Sequence, residues 1–205
     1  MRTIHVMFDS GLTSLERESI RDGLIDFKER FPNKDIVNYR SRQWSTGSSY
    51  CSADWFIRQA RLKQAISGSG LNVEVLLDLM REDPGQKAYP HIDVLFTSCD
   101  LTRRGLKTCY GATSDRFTVQ SLYRYRYLRL DDRIALIKWT LWHELGHMLG
   151  LSNNIHCANR GCAMHQGKDF DETIRFAREM TRTNRIYCPD CTKKISYGGN
   201  TMRAS

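Results

Sequence analysis

Apolar and polar positions along the 205-residue chain change period several times, and each change marks an element. Thr3 to Phe8 reads as a strand. Ser14 to Phe31 places Leu15, Ile20, Leu24, Ile25 and Phe27 near one helical face, which predicts an amphipathic helix stopped by Pro32-Asn33. Asp35 to Arg40 predicts a second strand, and the polar run Ser41 to Ser49 a loop. Ala53 to Ile66 predicts a helix, broken at Ser67-Gly68-Ser69-Gly70. Asn72 to Arg81 fits helix or strand, with helix preferred, and Pro84-Gly85 marks a turn. Ile92 to Thr97 is apolar and predicts a buried strand. Cys109 to Thr113 reads as a short strand and Phe117 to Leu130 as a longer one. Within the latter, Tyr123-Arg124-Tyr125-Arg126-Tyr127-Leu128-Arg129 would put three tyrosines on one face and Arg124 and Arg126 on the other. That is an amphipathic strand rather than a nucleic-acid grip, which needs rings and charges on one face.

Ile134 to Leu149 predicts a helix, with Asp131 and Asp132 offering N-cap oxygens and Gly150 placed to end it in a left-handed conformation. Phe170 to Thr183 predicts a last helix before a small polar tail. The order argues for an α/β fold: a mixed twisted sheet with an antiparallel edge strand, packed on helices. Residues 1–150 would form a sheet-and-helix subdomain and residues 151–205 a small C-terminal lobe, one compact domain together.

Composition narrows the setting. At 40% hydrophobic and 26% charged residues the chain reads as globular. Its formal charge of +8 favours acidic partners or substrates, nucleic acid included. The first residues lack the apolar segment of a signal peptide, and no run approaches the ~20 apolar residues of a membrane span. These features predict a soluble, cytoplasmic protein with no membrane partner. In that compartment seven cysteines favour thiolates and metal over disulfides.

The chemistry centres on His143-Glu144-Leu145-Gly146-His147. Residues four apart share one face of a helix, so both imidazoles can point at one ion, with Glu144 beside them to take a proton from water. The bland alternative is an amphipathic helix with two buried histidines. Downstream, Cys157-x4-Cys162 and Cys188-x2-Cys191 supply four thiolates across a helix-length spacer, the ingredients of a closed structural zinc site. A redox use of Cys188-Pro189-Asp190-Cys191 would leave the other pair unexplained. Cys51, Cys99 and Cys109 read as buried thiols.

These residues resemble the archaemetzincin family of zinc metallopeptidases. The likeness rests on His143, Glu144, His147, Gly150, His156-Cys157, Cys162, Met164, Cys188 and Cys191, and on Thr97-Ser98-Cys99-Asp100-Leu101 and Tyr110-Gly111-Ala112 upstream. It implies peptide-bond hydrolysis by zinc-activated water with Glu144 as general base, and two zinc ions per chain. One ion is catalytic, at His143, His147 and His156; the other is structural, at Cys157, Cys162, Cys188 and Cys191. Met164 would be the Met-turn residue beneath the histidines. The implied partner is a peptide or protein substrate, the implied state a monomer. The family places its third histidine three residues past the glycine, where this chain has Asn153. Either the loop after Gly150 holds three extra residues and His156 closes the site, or Asn153 fills the slot and zinc binding weakens. An amide oxygen is the poorer zinc ligand, which favours His156. The competing function is a catalytically weak, zinc-stabilised protein that binds an acidic partner such as nucleic acid; a general base at Glu144 has no use there.

Overall fold

A computed structural model describes residues 3–32, 38–41, 52–64, 70–83, 92–104, 106–151 and 156–197. Contacts divide the chain into two compact units, residues 1–17 with 35–126, and residues 18–34 with 127–205. Helix α1 (Ser14–Arg30) contributes its first turn to one and the rest to the other.

The first unit holds strands β1 (Thr3–Phe8), β2 (Asn38–Ser41), β3 (Leu71–Asn72), β4 (Ile92–Thr97), β5 (Leu101–Arg103), β6 (Leu106–Cys109), β7 (Gly111–Ser114) and β8 (Phe117–Ser121), with helices α2 (Ala53–Lys63) and α3 (Val73–Glu82). Five strands form a sheet in the order β2-β1-β4-β8-β7, and three form a second in the order β3-β5-β6. In the larger sheet β1, β2, β4 and β8 run parallel, and β7 turns back antiparallel along β8. This is the expected mixed sheet with an antiparallel edge. Every residue of β4 is buried, as a strand covered on both faces requires. Its Leu95 belongs to one apolar core with Phe56, Leu76, Met80, Leu101, Phe117 and Val119. Asn72 resolves the ambiguous 72–81 segment as helix, its side chain capping α3 by accepting from the Glu74 amide at 2.8 Å. Along α1, Ile20, Leu24 and Phe27 are buried, but Ile25 is exposed because it sits 100° around the helix from Leu24.

The long strand expected over 117–130 ends at Ser121. Residues Tyr123–Tyr127 form a 3-10 helix instead. Ion pairs override the alternating pattern. Arg124 is bidentate on Asp100, at 3.0 and 2.9 Å, and Arg126 bidentate on buried Glu16, at 2.9 Å to each oxygen. Tyr125 is buried and stacks on Tyr110, while Tyr127 is exposed, so the three rings share no face. Glu16 also closes a capping box at the start of α1. Its carboxylate accepts from the Thr13 amide at 2.8 Å, and Thr13 Oγ1 accepts from the Glu16 amide at 3.3 Å.

The second unit is helical: α1 from Glu18 onward, α4 (Leu130–Met148), α5 (Phe170–Thr183) and α6 (Pro189–Tyr197). Buried Trp142 of α4 donates its indole N–H to the Gly23 carbonyl at 2.9 Å, and Lys138 pairs with Asp26 at 2.7 Å, which locks α4 to α1. Neither Asp131 nor Asp132 caps α4, whose N-cap is Arg129 without a side-chain cap bond. Asp132 instead binds Arg178 of α5. Helix α5 is capped by Asp169, which accepts from the Glu172 amide at 2.7 Å. The expected polar tail contains α6, which starts on Pro189, a residue suited to the first helical position, and buries Ile195. Among the remaining thiols Cys109 is buried, Cys99 half-buried beside Arg61, and Cys51 lies outside the described residues. No helix among the described residues is long and apolar enough to cross a membrane.

Candidate metal centres

Helix α4 carries His143 and His147 one turn apart, their Nε2 atoms 3.0 Å from each other. His143 Nδ1 lies 2.8 Å from the Ala163 carbonyl, and His147 Nδ1 3.4 Å from that of Leu151. A carbonyl only accepts, so each Nδ1 carries the proton and each Nε2 keeps its lone pair. Two lone pairs facing at 3.0 Å repel unless a cation lies between them. A tetrahedral zinc with bonds of about 2.0–2.1 Å needs nitrogens roughly 3.3 Å apart, close to what is seen. Burial, opposed by the Ala163 bond, pulls the His143 pKa down to about 4, and burial followed by the His143 charge lowers that of His147. Both rings are therefore neutral at physiological pH, the form that ligates metal.

His156 completes the group. Its ring stacks on that of His143 at 5.4 Å and meets His147 edge-on at 6.0 Å, and one ligand nitrogen from each of the three lies within 4.8 Å of the others. Asn153 lies outside the described residues. Glu144 is buried, one residue past His143 on the same helix.

Local sequence explains how the chain leaves the helix. Gly150 takes a φ of 94°, the left-handed conformation that glycine adopts freely, and the chain turns so that the Leu151 amide donates to the Gly146 carbonyl at 3.0 Å. Beneath the helix, Cys162-Ala163-Met164-His165 forms a tight turn closed by the His165 amide on the Cys162 carbonyl at 2.8 Å. Within it Ala163 orients His143, while buried Met164 fills the space under Gly146, where a β-carbon would strike its sulfur. His165 is half-buried, its Nδ1 bonded to the Cys157 carbonyl at 2.8 Å and its ring edge-on to Phe176.

The four cysteines also converge, with the sulfurs of Cys157, Cys162, Cys188 and Cys191 within 4.8 Å of one another. Cys157 and Cys188 Sγ are 3.7 Å apart. A disulfide would bring them to about 2.05 Å, whereas a tetrahedral zinc with bonds of about 2.3 Å sets an edge near 3.8 Å. Burial, with repulsion from neighbouring thiols, pushes the Cys162 pKa up to about 12 and raises that of Cys191; Cys188 is lowered because hydrogen bonds, the Cys191 amide first, outweigh burial.

Residues 62–197 match peptidase family M54. The chain belongs to that family. The match takes in every residue of both donor sets, and the archaemetzincin reading of the motifs is borne out, as is the assignment to the metallopeptidases. The M54 chain also shares its fold with solved structures. One is an archaemetzincin from Methanopyrus kandleri, at 23% identity and a TM-score of 0.63, over 96% of this chain and 93% of that one. Another is an archaemetzincin from Archaeoglobus fulgidus in complex with malonate, at 18% identity and a TM-score of 0.56, over 94% and 99%. A third is a zinc-dependent peptidase from Methanocorpusculum labreanum, at 18% and 0.55, over 94% and 99%. No curated protein matches the chain.

Three contributors to the M54 site escape a reading of side-chain motifs. The Ala163 carbonyl belongs to the backbone and has no residue signature. Tyr187 donates its hydroxyl to the Trp142 carbonyl at 2.5 Å; its place directly before Cys188 is the one hint in the sequence. Trp139 packs its ring 5.2 Å from that of His143; the helical spacing 139, 143, 147 gives it away.

Proposed function

We propose that this M54 chain is a zinc-dependent peptidase of the metzincin type, acting on peptides or proteins in the cytoplasm as a monomer. His143, His147 and His156 hold the catalytic ion; Cys157, Cys162, Cys188 and Cys191 hold a second, structural ion, within residues 151–205 of one catalytic domain. Zinc held by these three imidazoles would supply Lewis acidity towards a water and a peptide carbonyl. Glu144 acts as general base: its carboxylate accepts the proton of the attacking water and returns it to the leaving amine. Met164 forms the apolar floor of the Met-turn, and the Ala163 and Leu151 carbonyls fix the tautomers that keep Nε2 lone pairs available. One observation carries the reading: three imidazoles converge within 4.8 Å, and the helix that carries two of them carries buried Glu144 directly after His143.

Glu144→Gln tests it. Metal content should stay at two ions per chain, while peptide cleavage falls by about 10²–10⁴-fold. Undiminished cleavage by the variant would sink the assignment. His156→Ala should lose one ion and Asn153→Ala neither; the reverse outcome would transfer the third ligand to Asn153.

A further inference from the structure

Three of the four clustered cysteines adjoin a residue of the histidine site. Cys157 follows His156 in sequence. Cys162 precedes Ala163, whose carbonyl holds His143 Nδ1 at 2.8 Å, and then Met164, packed beneath Gly146. Cys188 follows Tyr187, which is buried, packs edge-on against Phe27 at 6.1 Å, and donates to the carbonyl of Trp142, the residue before His143. Two backbone bonds tie these strands of chain together: the Cys157 amide to the Met164 carbonyl at 2.9 Å, and the Ala163 amide to the Ile186 carbonyl at 2.8 Å. Cys191, the fourth, sits in the first turn of α6.

Closing the thiolates on a cation fixes three points at once: the backbone that presents His156, the carbonyl that sets the His143 tautomer, and the hydroxyl that anchors α4. Opening the cluster frees all three. We propose, on the ligand sets given above, that the cysteine cluster positions the histidine triad, so that an ion at the four thiols raises the affinity of the three imidazoles for theirs. Cys157, Cys162 and Tyr187 are then positioning residues as well as parts of a staple. By linkage the effect is reciprocal, and a coupling of tenfold corresponds to about 1.4 kcal/mol.

The test uses the full chain, stripped of metal under reductant and titrated with Co²⁺. Thiolate-to-cobalt charge-transfer bands report the cysteine site, and the weaker d–d bands of a nitrogen-ligated ion report the histidine site. Cd²⁺ prefers the softer thiolates. With one equivalent added beforehand, Co²⁺ should bind the histidine site tenfold or more tighter than in Cys191→Ser, whose cluster no longer closes on an ion. Tyr187→Phe keeps the ring and all four thiols, and should loosen the histidine site several-fold while leaving the charge-transfer titration unmoved. Cys191→His, which keeps a three-thiolate, one-imidazole site, should restore the coupling that Cys191→Ser removes.

Equal Co²⁺ affinity at the histidine site in the Cd²⁺-loaded parent and in Cys191→Ser overturns the proposal; if Cys191→Ser cannot be folded, a histidine site left unmoved by Tyr187→Phe overturns it. If the parent chain still cleaves peptides in a Glu144-dependent way, the peptidase reading stands and only the coupling falls. If no nitrogen-ligated Co²⁺ signal appears under either condition, both fall.

Discussion

At the scale of single residues, Gly146 is the most constrained position of the zinc-helix motif. A helix interior ordinarily favours alanine over glycine by about 1 kcal/mol. Here a β-carbon would strike Met164 Sδ and press on Leu151 and Tyr187, each 3.2 Å from its position. Overpacking of a filled core costs about 1–3 kcal/mol, so the clash outweighs the propensity. Gly146→Ala should lower the thermal midpoint in calorimetry, and Gly146→Ala with Met164→Ala should recover part of the loss. The convergence of three histidines and of four cysteines was legible because metal chemistry dictates residue type and spacing. The Ala163 carbonyl was not, since any residue except one that disturbs the turn offers the same atom.

Elements were legible where a core dictated their pattern and obscure where something else did. Strand β4 and helix α5 match their periodicity; α5 spans Phe170–Thr183 as expected. Strands β3, β5 and β6, of 2 to 4 residues, are too short to show a period. Helix α6 is short and buries Ile195 and Cys191, too few positions to show a period. The 3-10 segment fooled the alternation rule because its two arginines answer carboxylates, buried Glu16 and half-buried Asp100, rather than solvent. That answer has a measurable weight. Burial works to raise the Glu16 pKa, but the Arg126 bond, the Thr13 amide and the Arg126 charge outweigh it and hold the carboxyl below its ordinary range. A lowered folded pKa contributes stability above the unfolded value of ~4.3, lost as pH falls through the folded value. Arg126→Met, which strands a buried carboxylate, should cost about 1–3 kcal/mol in urea unfolding at pH 7. The gap between variant and parent should narrow as the pH drops below about 4; a gap unchanged down to pH 2 would refute the ion-pair account.

For the molecule as a whole, the second unit has few apolar residues after 151, and on the proposed ligand sets its order rests on metal. An ion held at 100 times its dissociation constant adds about 2.7 kcal/mol to stability. Chelation under reductant should therefore lower the thermal midpoint by roughly 5–10 °C. Hydrogen exchange should quicken over 156–197, while 92–121 keeps its protection. Protection retained throughout after both ions are removed would show that the cysteine staple is not needed. The left-handed turn at Gly150 has a wider consequence. With Leu151 tied back to the helix and His156 adjoining the cysteine cluster, the proposed third ligand is located from its far end rather than by counting forward from the glycine. Insertions between these two anchors then leave the donor in place. Catalogues of such enzymes built on a rigid three-histidine spacing will omit lineages whose connecting stretch has grown, and a pattern keyed to the His-Cys doublet with the two cysteine pairs would recover them.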